Sequence, residues 1–161
     1  MNDPDDQSFL GVPGDVIMSL GRLSIVGSRV EHTARGMMFD LGVSPDNHAM
    51  ARVLRSIRTT AKGGLPEITQ PATTFSVDLI AWTLHAGELL RVRNAIMHAG
   101  PSRQRDSDSP WSILSRRLRG GEATEADALT LRQLADDLDS CDSQGQALQR
   151  TLTRIVAHLV V

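Results

Sequence analysis

The sequence is poor in several residue types, and their scarcity excludes particular classes of protein. Its 161 residues include one cysteine and no tyrosine. The lone Cys141 excludes a disulfide framework and a cysteine-based metal site, and we expect it to be a small apolar residue on a helix. The five histidines are scattered and none has a recognised metal-ligand spacing. Neither a metal nor another cofactor is predicted.

Long hydrophobic runs are also missing. None approaches the roughly 18 to 20 residues of a membrane-spanning helix. The N-terminus, Met1 to Asp6, is acidic, whereas a signal peptide begins with basic residues. We therefore expect a cytoplasmic protein that makes no membrane contact.

Positive charge is almost entirely arginine, because Lys62 is the only lysine. The net charge of -2 does not indicate a nucleic-acid-binding protein. The distribution is uneven, however, since arginines cluster between Leu89 and Gly121 while acidic residues collect at the N-terminus and from Glu122 to Asp142. Guanidinium groups suit bidentate phosphate contacts, although a GC-rich genome would give the same arginine bias.

Length and periodicity together predict one helical domain. A chain of this length is long enough for one buried core and too short for two comfortable domains. Residues 1–12 lack periodicity and are predicted to form a flexible tail, and residues 13–161 a single domain. Apolar residues there recur at spacings of three and four, typical of amphipathic helices. The predicted helices are Val16 to Leu41, Pro45 to Lys62 with Ser44 as N-cap, about Thr74 to Ala99, and a C-terminal segment.

The C-terminal segment is ambiguous in the sequence. It is either one long helix interrupted at Asp142 to Gly145 or two consecutive helices, and Thr124 to Asp127 resembles a capping box at its start. Before it, Ser102 to Gly121 is polar and broken by Pro110, which predicts a loop containing a short helix or a hairpin. The expected fold is all-α, an antiparallel bundle of four to five helices.

The candidate site lies where the third predicted helix ends, within Leu89 to Gly100. Asn94 and His98 are separated by about 40° around a helix, so the amide can orient the imidazole. Arg93 is about 140° from His98, but its long side chain can still reach the same anion. On the first helix Glu31 and His32 are more typical of a solvated face, with a position in the His98 cleft as the alternative.

This set of side chains suits one reaction. A histidine can take a proton from a ribose 2′-OH or return one to a leaving 5′-oxygen, and a guanidinium can stabilise the charge on the phosphodiester. Attack by the 2′-OH would leave a 2′,3′-cyclic phosphate without a metal. The structural alternative is that Arg93 and His98 have no catalytic role and only stabilise the C-terminus of the helix, through its dipole and its unpaired carbonyl groups.

The stretch Arg93-Asn94-Ala95-Ile96-Met97-His98 resembles the R-N-x-x-x-H form of the motif of the HEPN superfamily, the higher eukaryote and prokaryote nucleotide-binding helical domains. The predicted helix order is similar too. The resemblance implies a metal-independent endoribonuclease of toxin–antitoxin or antiviral-defence type, with a composite site at a homodimer interface. In it Arg93 would clamp phosphate, His98 would be the acid and base, and Asn94 would orient it.

The same resemblance implies RNA as partner, with Arg91, Arg103 and Arg105 as phosphate contacts, and an antitoxin or other regulatory protein. Some HEPN toxins carry a tyrosine two residues after the histidine that a partner modifies; this chain has Gly100 there, which excludes that mode. Scarce aromatic residues predict weak sequence preference. The alternative is a non-catalytic HEPN-like module that binds nucleotides or proteins.

Overall fold

A computed structural model describes residues 12–43, 49–63, 71–99, 101–102, 112–115 and 124–159 of the chain. The four predicted helical segments form α1 (Gly14–Asp40), α2 (Met50–Lys62), α3 (Pro71–Met97) and α4 (Ala128–Leu159). One core joins them, and each helix contributes fully buried side chains, among them Leu23, Ile57, Leu79 and Leu131. The prediction of an all-α bundle is thereby confirmed. Of the described helices, none is long and apolar enough to cross a membrane.

Two predicted segments lie wholly or mostly outside the described residues. The proposed start of the second helix at Ser44 and Pro45 lies outside them, and the helix that is described begins at Met50. The predicted tail lies outside them as well, apart from Val12, whose side chain is buried in the core.

Between α3 and α4, the described residues include three short strands. They are β1 (Pro101–Ser102), β2 (Ser112–Ser115) and β3 (Thr124–Ala126), and they form an antiparallel sheet in the order β1–β2–β3. Ile113 of the central strand faces Pro101 on one side and Ala126 on the other. The antiparallel pairing of β1 with β2 is consistent with the hairpin that the sequence allowed from Ser102 to Gly121, and the residues between the two strands lie outside the described ones.

The capping box predicted at Thr124 is wrong, because Thr124 belongs to β3. Asp127 caps α4 instead: the backbone N–H of Thr130 donates to its Oδ1 at 2.7 Å. Hydrogen bonding by Thr130, through its side chain and its backbone N–H, lowers the pKa of the Asp127 carboxyl below its ordinary value.

α1 and α4 lie side by side and run in the same direction. Polar contacts join residues whose numbers rise together along both helices: Asp15 with Arg132, Arg22 with Asp136, Arg29 with Asp139, Thr33 with Asp142, and Asp40 with Thr153. The predicted antiparallel arrangement is wrong for this pair. Hydrophobic periodicity carries no information on the direction in which two packed helices run.

α3 is antiparallel to α1 and α4. Its Trp82 lies against Gly145, close along α4 to Asp142 and hence level with Thr33 of α1. Eleven residues later, Arg93 lies against Gly27, nearer the start of α1. This antiparallel course brings the end of α3, where the candidate site lies, to the first half of α1.

α4 is continuous through Asp142 to Gly145, so both sequence predictions of a break there are wrong. The Asp142 carboxylate is fully buried, forms an ion pair with Arg29 at 2.7 Å, and accepts hydrogen bonds from Thr33 and Gln146. Gly145 faces the indole of Trp82, whose N–H donates to the Cys141 carbonyl oxygen at 2.8 Å. Asp142 and Gly145, which look like helix breakers in the sequence, instead make contacts with other helices.

The contact between Gly145 and Trp82 makes a stability prediction. A Cβ at Gly145 would lie 2.6 Å from Cζ2 of the buried indole, so Gly145→Ala is expected to destabilise the protein by about 2 kcal/mol through overpacking. Gly21→Ala is the control, because nothing lies within 4 Å of a Cβ there; it should stabilise the protein by up to about 1 kcal/mol through helix propensity. Urea unfolding followed by circular dichroism measures both, and equal effects would contradict the packing argument.

Candidate functional site

The three residues of the candidate motif occupy the last turns of α3. Arg93 and Asn94 lie within the helix, which ends at Met97. The backbone N–H of His98 still donates to the Asn94 carbonyl oxygen at 3.1 Å, and that of Ala99 to Ile96 at 3.0 Å. His98 therefore continues the helical course by one residue, and its side chain is exposed to solvent.

Arg93 does not extend into solvent. Its side chain, only 14% exposed, crosses α1 at Gly27, where a Cβ would lie 2.7 Å from the Arg93 Nε. One terminal nitrogen, Nη1, donates to Oε1 of Glu31 at 3.2 Å and to Oδ1 of Asn94 at 2.7 Å. The other, Nη2, lies 3.4 Å from the Ser24 carbonyl oxygen. Glycine at position 27 is what allows the guanidinium to reach Glu31.

The hydrogen bonding of Arg93 is incomplete. Its Nε is buried, and no hydrogen-bond partner for it exists among the described residues. A buried donor without an acceptor costs about 1 to 3 kcal/mol. A group of this kind in a native structure calls for an explanation, and functional sites are where such costs are commonly found.

Asn94 and His98 are not joined by their side chains. The Asn94 Oδ1 accepts its hydrogen bond from Arg93, and in the described part of the chain nothing hydrogen-bonds to the His98 imidazole. The structure therefore brings Arg93 and Asn94 together, and places His98 one turn further along without orienting it through Asn94.

Glu31, whose position in the sequence is more typical of a solvated face, contacts Arg93. It lies four residues after Gly27 on α1, with a side chain that is 30% exposed, and its carboxylate faces Arg93 rather than His98. His32 is exposed and lines a different cavity, with Arg29 and Asp142. The sequence signal for Glu31 was the glycine one turn before it, which opens that face of α1 to a long side chain.

The three arginines predicted to contact phosphate have different outcomes. Arg103 and Arg105 lie outside the described residues. Arg91 is exposed and pairs with Glu88 on the preceding turn, with its Nη2 2.5 Å from Oε1. The hydrogen bond and the charge of Glu88 raise the pKa of Arg91 above its ordinary value.

A cleft of about 390 Å³ between α2 and α3 adds two arginines that the sequence did not single out. Arg55 and Arg58 of α2 line it together with Arg91 and Asn94 of α3. The available signal was the run of Arg52, Arg55 and Arg58, with no acidic residue between Met50 and Lys62. Sequence alone could not show that this face meets the end of α3.

Other chemistry is limited in the part of the chain that the structure describes. There, no group of three or more histidine, cysteine, aspartate or glutamate side chains is arranged to hold a metal. Cys141 is buried, and burial raises the pKa of its thiol to about 11. The thiolate is the reactive form of cysteine, so this thiol is inert at neutral pH and packs as a small apolar group.

Because the Arg93 side chain is largely buried, we expect its ion pair with Glu31 to contribute more to the free energy of unfolding than an exposed pair does. Glu31→Ala should destabilise the protein by about 2 kcal/mol, because it leaves a largely buried guanidinium without its counter-charge. The matched control is Glu88→Ala, which breaks the exposed pair with Arg91 and should change stability by less than about 0.5 kcal/mol. A double-mutant cycle with Arg93→Met, read by urea unfolding, measures the coupling; additive effects would exclude the interaction.

Similarity to proteins of known function gives no guide to this site. No protein-family model, curated protein or solved structure matches the chain significantly. The function is therefore to be inferred from the chain's own residues, above all from those at the end of α3.

Proposed function

We propose that the protein is a metal-independent endoribonuclease of HEPN type, whose composite site is completed by a second copy of the chain. One observation carries the proposal. The final turns of α3 hold Arg93 and Asn94 in direct contact at 2.7 Å and leave His98 exposed on the next turn. These are the residues of the R-N-x-x-x-H motif, at the helix end where the resemblance requires them.

The reaction divides proton transfer between two histidines. The His98 imidazole of one copy takes the proton of a ribose 2′-OH as O2′ attacks the adjacent phosphorus. The phosphorus–O5′ bond then breaks, and the His98 of the other copy gives O5′ a proton. The products are a 2′,3′-cyclic phosphate and a 5′-hydroxyl, so atoms and charges balance without a metal.

Arg93 stabilises the phosphodiester by exchanging its partner. Glu31 holds the guanidinium through a single nitrogen at 3.2 Å, whereas a bidentate contact to phosphate uses two parallel hydrogen bonds of about 2.7 to 2.9 Å. To bind phosphate in this way, Arg93 would exchange its contacts with Glu31 and the Ser24 carbonyl oxygen for the two phosphate oxygens. Until phosphate arrives, Glu31 neutralises Arg93 and keeps it against Gly27.

Dimerisation is supported by exposed apolar residues on α1. Ile17, Met18 and Ile25 are at least partly exposed, Met18 to 73%, and Gly21 between them leaves open space. A second copy that covers this stripe would lie against the helix that carries Glu31. The biological setting that we propose is cleavage of cytoplasmic RNA by a toxin or antiviral effector, restrained by an antitoxin or other regulatory protein.

A second candidate function has its own support. Arg93 is 14% exposed and already paired with a carboxylate, which favours a non-catalytic HEPN-like module that binds nucleotides or proteins. In that case the arginine would be purely structural, and His98 would be dispensable for binding.

The two functions separate in a cleavage assay. Purified protein should cut single-stranded RNA in EDTA and leave 2′,3′-cyclic phosphate ends, and His98→Ala should lower the rate by about 100-fold or more. His85→Ala is the control, since His85 is an exposed histidine on the same helix that lines another cavity. Arg93→Ala is also expected to be slow.

If His98→Ala cuts as fast as the parent, the activity belongs to a contaminating nuclease and the enzyme proposal fails. Light scattering adds an independent arm, because a protein that cuts RNA as a monomer would exclude the composite site.

A further inference from the structure

The cleft between α2 and α3 has an arginine rim over an apolar floor. Arg55, Arg58 and Arg91 form the rim. The floor includes Leu54 and Leu90, both almost fully buried, with Gly87 beside them, where a Cβ would lie in ordinary contact, 3.5 Å from Leu54 Cδ1. Its volume of about 390 Å³ is within the range of about 300 to 1,000 Å³ that is usual for small-ligand sites.

The charge of two of the rim arginines, Arg55 and Arg58, is not neutralised within the described residues. α2 contains three arginines and Lys62 but no acidic residue. Neither Arg55 nor Arg58 has an ion-pair partner in the described ranges, whereas Arg91 is paired with Glu88. Two guanidinium groups at a spacing of three on one helix therefore face the cleft with their charge available to an anion.

The cleft is continuous with the candidate motif. Gly87, Leu90, Arg91 and Asn94 line it in succession along one face of α3, and His98 follows Asn94 by one helical turn. A chain that lies in the cleft would leave it beside the exposed imidazole.

From these features we propose that the cleft binds one nucleotide of a single-stranded RNA, with the base on the apolar floor and the flanking phosphates on Arg55 and Arg58. This inference rests on the proposed function for the role of His98 but not for binding itself. The ring face of a base can lie on the apolar floor, which contains leucine rather than aromatic side chains, and guanidinium groups suit phosphate oxygens. Contacts of this kind position RNA without reading its sequence.

The test is binding of a fluorescein-labelled 2′-O-methyl oligouridylate, which has no free 2′-OH and cannot be cleaved by this reaction. Fluorescence anisotropy in EDTA should give a Kd that rises at least about tenfold in the double variant Arg55→Gln/Arg58→Gln. The matched control is Arg150→Gln/Arg154→Gln, which removes the same charge from exposed arginines of α4. The salt dependence of binding should weaken by about 1.4 in log–log slope, for two lost phosphate contacts.

Each outcome decides the proposal. It is overturned if the parent does not bind, or if the two double variants bind equally well. Uridine monophosphate should displace the oligonucleotide only at far higher concentration; equal affinity would assign the cleft to free nucleotides instead. An acidic peptide of the same length and charge that binds as tightly, with the same loss in the variant, would assign it to proteins.

The nuclease proposal can fail separately. If Arg55→Gln/Arg58→Gln loses binding but the parent does not cut unmodified RNA, the proposed RNA-binding role of the cleft is supported and the nuclease proposal fails. If the double variant cuts unmodified RNA with the same KM as the parent, the nuclease proposal is supported and the proposed RNA-binding role of the cleft fails.

Discussion

The buried carboxylate of Asp142 is the constraint on which the other positions depend. It binds Arg29 and Thr33 of α1 from within α4, and a charge in an apolar core is tolerated only with such partners. A shift of either helix by one residue would leave the buried carboxylate without these partners. Asp142 therefore fixes the register of α1 against α4. That register in turn sets which face of α1 meets α3, and so presents Gly27 and Glu31 to the end of α3.

From that fixed face the candidate site follows step by step. The absence of a side chain at Gly27 lets Arg93 cross α1, Glu31 neutralises it, and Asn94 is held by the second hydrogen bond of the same nitrogen. Arg93 therefore has a structural role whatever its chemistry is. A positioning role and a phosphate-binding role are compatible, since both need the guanidinium held at this one place beside Asn94.

Local pattern accounts for what the sequence predicted well. Apolar spacing recovered the helices because each buries one face, and Gly100 and Pro101 marked the end of α3. What it missed depends on residues distant in sequence. Asp142 and Gly145 look like helix breakers until Thr33 and Trp82 are placed beside them. Glu31 looks solvated until Arg93, 62 residues away, crosses to it. The cleft needs the packing of α2 on α3, which no single helix encodes.

Net charge is the clearest case of information that composition conceals. The chain carries -2 overall, which argues against an anion-binding protein. Yet its acidic residues are not spread evenly: Asp136, Asp139 and Asp142 of α4 pair with Arg22 and Arg29 of α1, and Glu31 pairs with Arg93. Those carboxylates lie in contacts of α1 with α4 and with α3. The arginines of α2 have no such partners among the described residues, so a basic cleft coexists with an acidic sequence because the two signs of charge have been sorted by packing.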